Sequence, residues 1–225
     1  MKRIPSLAPP RVAIHGVKQG FPVRRIYCVG LNYAAHAREM GSNSSRNLPF
    51  FFSKPADAVV PSGSVLPYPR RTALVDHEVE MVVALGDGGA DLTALQAMAA
   101  IFGWAAGLDL TRRDLQKEAK LAGRPWDMAK GFDSSAPIGP LVPGMPPAVG
   151  PIELRIGGTL RQQGDVADML WTVPEIIATL STFVVLAPGD LILTGTPAGV
   201  GPILVGDTVV GTVAGAPPVT ISYRA

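Results

Sequence analysis

Apolar positions along this chain fall in short runs punctuated by glycine and proline, and few stretches carry the longer 3.6-residue periodicity of extended helices. Runs rich in Val, Ile and Thr between turn residues predict strands over residues 25–29, 75–85, 152–156, 190–194, 208–213 and 218–223. Helices are fewer and better marked. Thr172 and Glu175 stand in capping-box register, and Val173, Ile176, Ile177, Leu180 and Val184 continue as an apolar stripe. Asn32 is placed to cap a short helix running to Met40, with Gly41 as its stop. Thr111 with Asp114 opens another that ends at Gly123, and Thr93 caps an Ala-rich run to Ala100. The pattern predicts an α+β, mostly β fold: one catalytic-sized domain over residues 21–225, preceded by a short arm, residues 1–20.

Composition narrows the function classes. The 225 residues carry 20 Lys+Arg against 18 Asp+Glu, a formal net charge of +2, with no basic stripe or acidic tail. Such a balance argues against nucleic acid and anionic membrane as partners. The longest apolar stretch, residues 97–108, contains two glycines and is too short to span a bilayer. No hydrophobic segment follows the basic residues of the N-terminus, so a secretory signal is not expected. The single cysteine, Cys28, sits in an apolar run and reads as a buried inert thiol, in keeping with a reducing cytoplasm.

Candidate chemistry concentrates in a few segments. In Asp76-His77-Glu78-Val79-Glu80, strand alternation puts Glu78 and Glu80 on one face, roughly 6.6 to 6.8 Å apart along the strand. Either a hard cation such as Mg²⁺, Mn²⁺ or Ca²⁺ sits between them, or the face is a hydrated edge. His77 then faces away from both. Asp109, at the end of the apolar segment 101–108, is a third oxygen donor or an ordinary turn aspartate. His36 and Glu39, spaced i, i+3, form either an oriented general base or a surface hydrogen-bonded pair.

Lys54, after three phenylalanines, and Lys130, between Trp126 and Phe132, either snorkel or serve an anionic ligand. Arg113 and Gln116 reach the same cleft to hold a carboxylate, or are solvated helix residues. The segment from Thr194 to Gly201 lacks the Lys-Ser/Thr ending of a phosphate loop and is not followed by a helix, which disfavours nucleotide binding; its amides and the Thr196 hydroxyl remain candidates for a small carboxylate.

Six ordered motifs together resemble the fumarylacetoacetate hydrolase superfamily: Tyr27 to His36, Lys54-Pro55, His77-Glu78-Val79-Glu80, Gly107 to Asp114, Ala129 to Asp133 and Thr194-Gly195-Thr196-Pro197. Within it, Phe21 to Tyr27 and Pro49 to Asp57 are most similar to the fumarylpyruvate hydrolases of gentisate degradation. The resemblance implies a β-sandwich or roll, a homodimer, and Mg²⁺ held by Glu78, Glu80 and Asp109. It further implies His36 and Glu39 as the water-activating pair, Lys130 at the developing oxyanion, and Arg113, Gln116, Thr196 and Lys54 around the substrate. Leu31 stands where close relatives are expected to carry Arg. The implied reaction is carbon–carbon hydrolysis of an acylpyruvate; oxaloacetate decarboxylation or tautomerisation, and a non-catalytic metal-binding domain, are the alternatives. The Gly/Ser/Asn-rich stretch 41–48 is the expected lid.

Overall fold

The computed structural model describes residues 8–41 and 46–224, so the middle of the expected lid, residues 42–45, lies outside the described residues. The architecture is mostly β, as the pattern predicts, with sheets packed on one another and short helices at their margins. A large mixed sheet runs in the order Phe50–Lys54, Arg25–Gly30, Asp190–Leu193, Val79–Leu85, Ile101–Leu108, Ala136–Ile138 and Val59–Pro61. A second sheet has the order Thr159–Asp165, Pro151–Ile156, Thr208–Val213, Val219–Arg224 and Ser64–Pro67. A small third sheet places Val75–His77 between Thr111–Arg112 and Gly201–Ile203. No helix among the described residues is long and apolar enough to cross a membrane.

Strand Val79–Leu85 is buried along its whole length. Alternation explains why: Val79, Met81, Val83 and Leu85 enter the core shared with the second sheet, while Val82 and Ala84 enter a separate core on the opposite face. Glu80 shares the face of Val82 and Ala84. The antiparallel partner Ile101–Leu108 pairs Val79 with Leu108 and Glu80 with Gly107, so the chain leaves that strand at Asp109, beside Glu78. The Asp109 N–H donates to the Glu78 carbonyl at 2.8 Å. Register alone therefore makes the two acids cross-strand neighbours.

Helix Val173–Ser181 closes the first core with Val173, Ile176, Ile177 and Leu180, each side chain contributing on the order of 2 kcal/mol by burial. The Glu175 carboxylate accepts from the Thr172 N–H at 2.9 Å and its hydroxyl at 2.8 Å, as the capping register predicts.

Three expectations need correction. The run 75–85 is two strands in two sheets, interrupted at Glu78, because Val75–His77 turns away to pair with Gly201–Ile203. Asn32 does not cap helix Ala34–Glu39, whose preceding residue is Tyr33. Its amide instead donates to the Trp171 and Thr194 carbonyls at 3.0 and 2.8 Å and accepts from the Trp171 N–H at 2.7 Å, clamping the start of that helix to two distant loops. Thr111 does not open the helix before Gly123: it lies in strand Thr111–Arg112, and helix Arg113–Leu121 follows Arg112 without a side-chain cap. The N-terminal segment, from Arg11 onward, forms a hairpin of Arg11–Ile14 with Val17–Pro22, which packs Val12 and Phe21 into the second core.

Candidate metal centre and active site

Glu78, Glu80 and Asp109 each offer a carboxylate oxygen within 4.8 Å of the others. They are 5%, 2% and 0% exposed, which removes the hydrated-edge reading for this pair of glutamates. Three buried like charges so close are unfavourable unless cations answer them. Lys130 Nζ lies 2.8 Å from Glu78 Oε2 and 2.7 Å from Asp109 Oδ2. Lys54 Nζ approaches Asp109 Oδ1 to 2.8 Å and donates to the Leu110 and Lys130 carbonyls. Arg113 bonds Asp76 through Nε at 2.7 Å and Glu78 through a second nitrogen.

Four carboxylates thus face three cations, and the uncompensated one is identifiable. Glu80 has the Gly195 N–H as a donor at 2.7 Å, and among the described residues no lysine or arginine pairs with it. Burial and the adjacent Asp109 and Glu78 carboxylates push its carboxyl well above the usual range. Burial also raises Glu78, but Lys130 and Arg113 outweigh it and hold that group at about 2. Asp109 Oδ1 makes only a charge contact with Lys54 and has no aligned hydrogen-bond donor. An orphaned buried oxygen, an unpaired buried carboxylate and an all-oxygen donor set fit a hard divalent cation.

The three acids line a cavity of about 110 Å³ together with His36, Gln116, Lys130 and Thr196. His36 is 5% exposed, and its Nδ1 lies 3.1 Å from Glu39 Oε2. A carboxylate only accepts, so Nδ1 carries a proton, and in the neutral imidazole the lone pair is on Nε2. Glu39 is itself fixed by the Gly199 N–H, 3.0 Å from Oε1.

The Thr194–Gly201 segment therefore holds anions, but they are protein anions: the Gly195 amide serves Glu80 and the Gly199 amide serves Glu39. Both glycines have φ near +97°, at +98° and +96°. A Cβ on Gly195 would lie 2.7 Å from the Asn32 side chain, and one on Gly199 2.2 Å from the Arg161 carbonyl. No other residue fits either position without moving backbone.

Several sequence candidates turn inward. Lys54 is absent from the cavity wall; the anion it serves is Asp109, and its hydrogen bonds go to backbone carbonyls. Arg113 does line the cavity, yet its donors go to Asp76, Glu78 and the Gln116 Oε1. That last bond fixes the Gln116 oxygen, leaving its amide nitrogen a donor without a partner among the described residues. Leu31 lines the cavity in a left-handed conformation, φ 57°. Lys120 was not singled out by sequence although it continues the stripe of Arg113 and Gln116 along helix Arg113–Leu121, roughly 10.5 Å beyond Arg113 by helical rise, and lines the same cavity. Gln162, buried behind Thr196, left no signal either, because nothing distinguishes it from its neighbour Gln163 in a polar strand.

A mostly β scaffold that buries three convergent acids beside an oriented imidazole defines a metal-site enzyme. The chain belongs to the fumarylacetoacetate hydrolase family: the model described as Fumarylacetoacetate (FAA) hydrolase C-terminal matches residues 25–221. It is 42% identical over 175 residues to the fumarylpyruvate hydrolase of Ralstonia sp, covering 77% of this chain and 91% of that one. It is 40% identical over 196 residues to the oxaloacetate tautomerase YcgM of Escherichia coli (strain K12), covering 85% and 89%. Among solved structures, fumarylpyruvate hydrolase from Pseudomonas aeruginosa in complex with Mn²⁺ and pyruvate is similar over 100% of this chain and 99% of that one, with 47% identity and a TM-score of 0.95.

Proposed function

We propose that this enzyme hydrolyses the carbon–carbon bond of an acylpyruvate, with fumarylpyruvate as substrate and fumarate and pyruvate as products. The observation that carries the reading is the imidazole of His36, its Nε2 free, on the wall of the cavity that contains the acid triad. Glu78, Glu80 and Asp109 would hold a divalent cation, Mg²⁺ with Mn²⁺ or Ca²⁺ as substitutes, whose positive charge would attract a 2-oxo acid and stabilise the negative charge of the leaving group. His36 takes a proton from water at Nε2 while Glu39 steadies the imidazolium through Nδ1–H. The water oxygen adds to the 4-carbonyl, the bond between C3 and C4 breaks with its electron pair going to C3, and C3 takes up the proton held on His36 Nε2, which completes pyruvate and restores the neutral imidazole. Lys130 offers an ammonium to the developing oxyanion, and Gln116 and Thr196 offer donors to carboxylates. Lys54 and Arg113 act by positioning Asp109, Glu78 and Gln116. Lys120 provides a cation for the second carboxylate of a dicarboxylic substrate.

The similarity to oxaloacetate tautomerases supports a second reading, enolisation of oxaloacetate at the same cation. Fumarylpyruvate, acetylpyruvate and oxaloacetate assayed with Mg²⁺ and Mn²⁺ separate the two. Hydrolysis by the wild type, lowered about 10²- to 10⁴-fold in His36→Ala, supports the hydrolase. Oxaloacetate turnover without acylpyruvate hydrolysis supports the tautomerase, and hydrolysis unaffected by His36→Ala removes that residue from the mechanism. The proposal extends to a homodimer in the cytoplasm, on the strength of the family resemblance and the free, buried Cys28.

A further inference from the structure

Gln162 is 0% exposed, the single buried position of strand Thr159–Asp165, and its amide makes four contacts. Oε1 accepts from the Val79 N–H at 3.1 Å, and Nε2 donates to the Pro197 carbonyl at 2.8 Å. A backbone N–H can only donate and a carbonyl can only accept, so these two contacts fix which end of the amide is oxygen and which is nitrogen. The other two contacts inherit a polarity. His77 Nδ1, 2.9 Å from Oε1, must carry the imidazole proton, and Thr196 Oγ1, 2.8 Å from Nε2, must accept. With one of its two lone pairs engaged by Gln162, the Thr196 hydroxyl keeps its own proton free of any protein acceptor among the described residues, and Thr196 lines the cavity. Gln116 and Lys130 line the same cavity, as do the three acids and His36, so donors and acceptors share its wall.

We propose that Gln162 is a positioning residue that, by donating to Thr196 Oγ1, leaves the Thr196 hydroxyl proton for the cavity and makes Thr196 a donor to a substrate carboxylate; the inference rests on the 2-oxo acid reading above. The arrangement favours a carboxylate oxygen at Thr196. Because the proton is free before a ligand arrives, no protein acceptor has to be given up on binding. The His77–Gln162 bond ties this polarity to the residue preceding Glu78, so the hydroxyl and the acid cluster are set by one network.

Oxalate binding to the Mn²⁺-loaded protein, measured by calorimetry, tests this without turnover. Gln162→Glu keeps the shape and the acceptor for Val79 but places an acceptor where Nε2 donated, which draws the Thr196 proton away from the cavity. Oxalate affinity is expected to fall about tenfold, the usual scale for one charge-assisted hydrogen bond, with Mn²⁺ affinity unchanged. Thr196→Val should lose the same factor, and Gln162→Glu added to Thr196→Val should lose nothing more. Equal losses from Gln162→Glu with and without the Thr196 hydroxyl, or wild-type oxalate affinity in Thr196→Val, would overturn the proposal. A readout that needs no variant is ¹⁵N NMR of His77, expected to show a protonated Nδ1 and a bare Nε2; the opposite tautomer breaks the polarity argument. Failure of the hydrolase reading registers separately, as absence of acylpyruvate turnover in the wild type.

Discussion

The acid triad projects from strand ends in the middle of the main sheet, walled by two cores, whereas the His36–Glu39 pair rides on a six-residue helix with Glu39 near the surface. Both face one cavity. The first is a long-range assembly: Glu78 and Asp109 are neighbours only because Val79 pairs with Leu108, and their charges are balanced by Lys54, Lys130 and Arg113 from three other segments. The second is local, two residues three apart, with one distant contact to Gly199. The difference teaches that the acid cluster is woven into the fold by its pairing and charge partners, while the His36–Glu39 pair can change with little cost to the fold.

The contrast is broken most severely at Lys54. In Lys54→Met, Asp109 loses a fully buried counter-charge, and the metal-free protein should lose about 3 to 5 kcal/mol of stability. Chemical denaturation of the metal-free protein checks this, and added Mn²⁺ should restore part of the loss by answering the same carboxylate. A Lys54→Met protein as stable as wild type would show that Asp109 needs no such partner.

An intermediate effect is expected on the local side. Glu39→Gln cannot steady an imidazolium, so turnover should fall about 10- to 100-fold, with stability within about 1 kcal/mol of wild type and Mn²⁺ affinity unchanged. Parallel denaturation and steady-state kinetics measure both. Large destabilisation here would erase the distinction between the two regions.

The smallest effect belongs to Asp114, at the start of the helix that carries Arg113, Gln116 and Lys120. Slight burial pushes its carboxyl up, but the Thr72 hydroxyl at 2.6 Å and the Ala73 and Leu115 N–H groups at 2.9 Å outweigh it and lower it below the ordinary value. A lowered carboxylate stabilises the fold above its unfolded value of about 4, and that stabilisation disappears as the pH falls through the lower folded value. Asp114→Asn should therefore be less stable than wild type at neutral pH by under about 1 kcal/mol, with the gap closing in acid. A gap that widens in acid would contradict the sign.

The parts legible in the sequence are those governed by short spacing. Alternation puts Glu78 and Glu80 on one face, i, i+3 spacing pairs His36 with Glu39, and the Thr172 register caps its helix. The strand pattern likewise gives a mostly β chain. What spacing does not carry is the identity of a distant partner. Lys54 among aromatics reads as awaiting a ligand because Asp109, 55 positions away, is brought to it only by sheet order. Asn32 has the composition of a helix cap, but two bonds to Trp171 outcompete that local role. Strand Thr159–Asp165 escapes detection because its inward residue is the polar Gln162, so no apolar alternation marks it.

The central claim is that Glu78, Glu80 and Asp109 hold one divalent cation jointly. Calorimetric titration of Mn²⁺ into wild type and Glu80→Gln tests it most directly, because Glu80 is the acid without a cationic partner and its replacement should leave the apo fold intact or more stable. The account predicts one site per chain in the wild type and loss of that site in Glu80→Gln. Equal stoichiometry and affinity in the two proteins would contradict it.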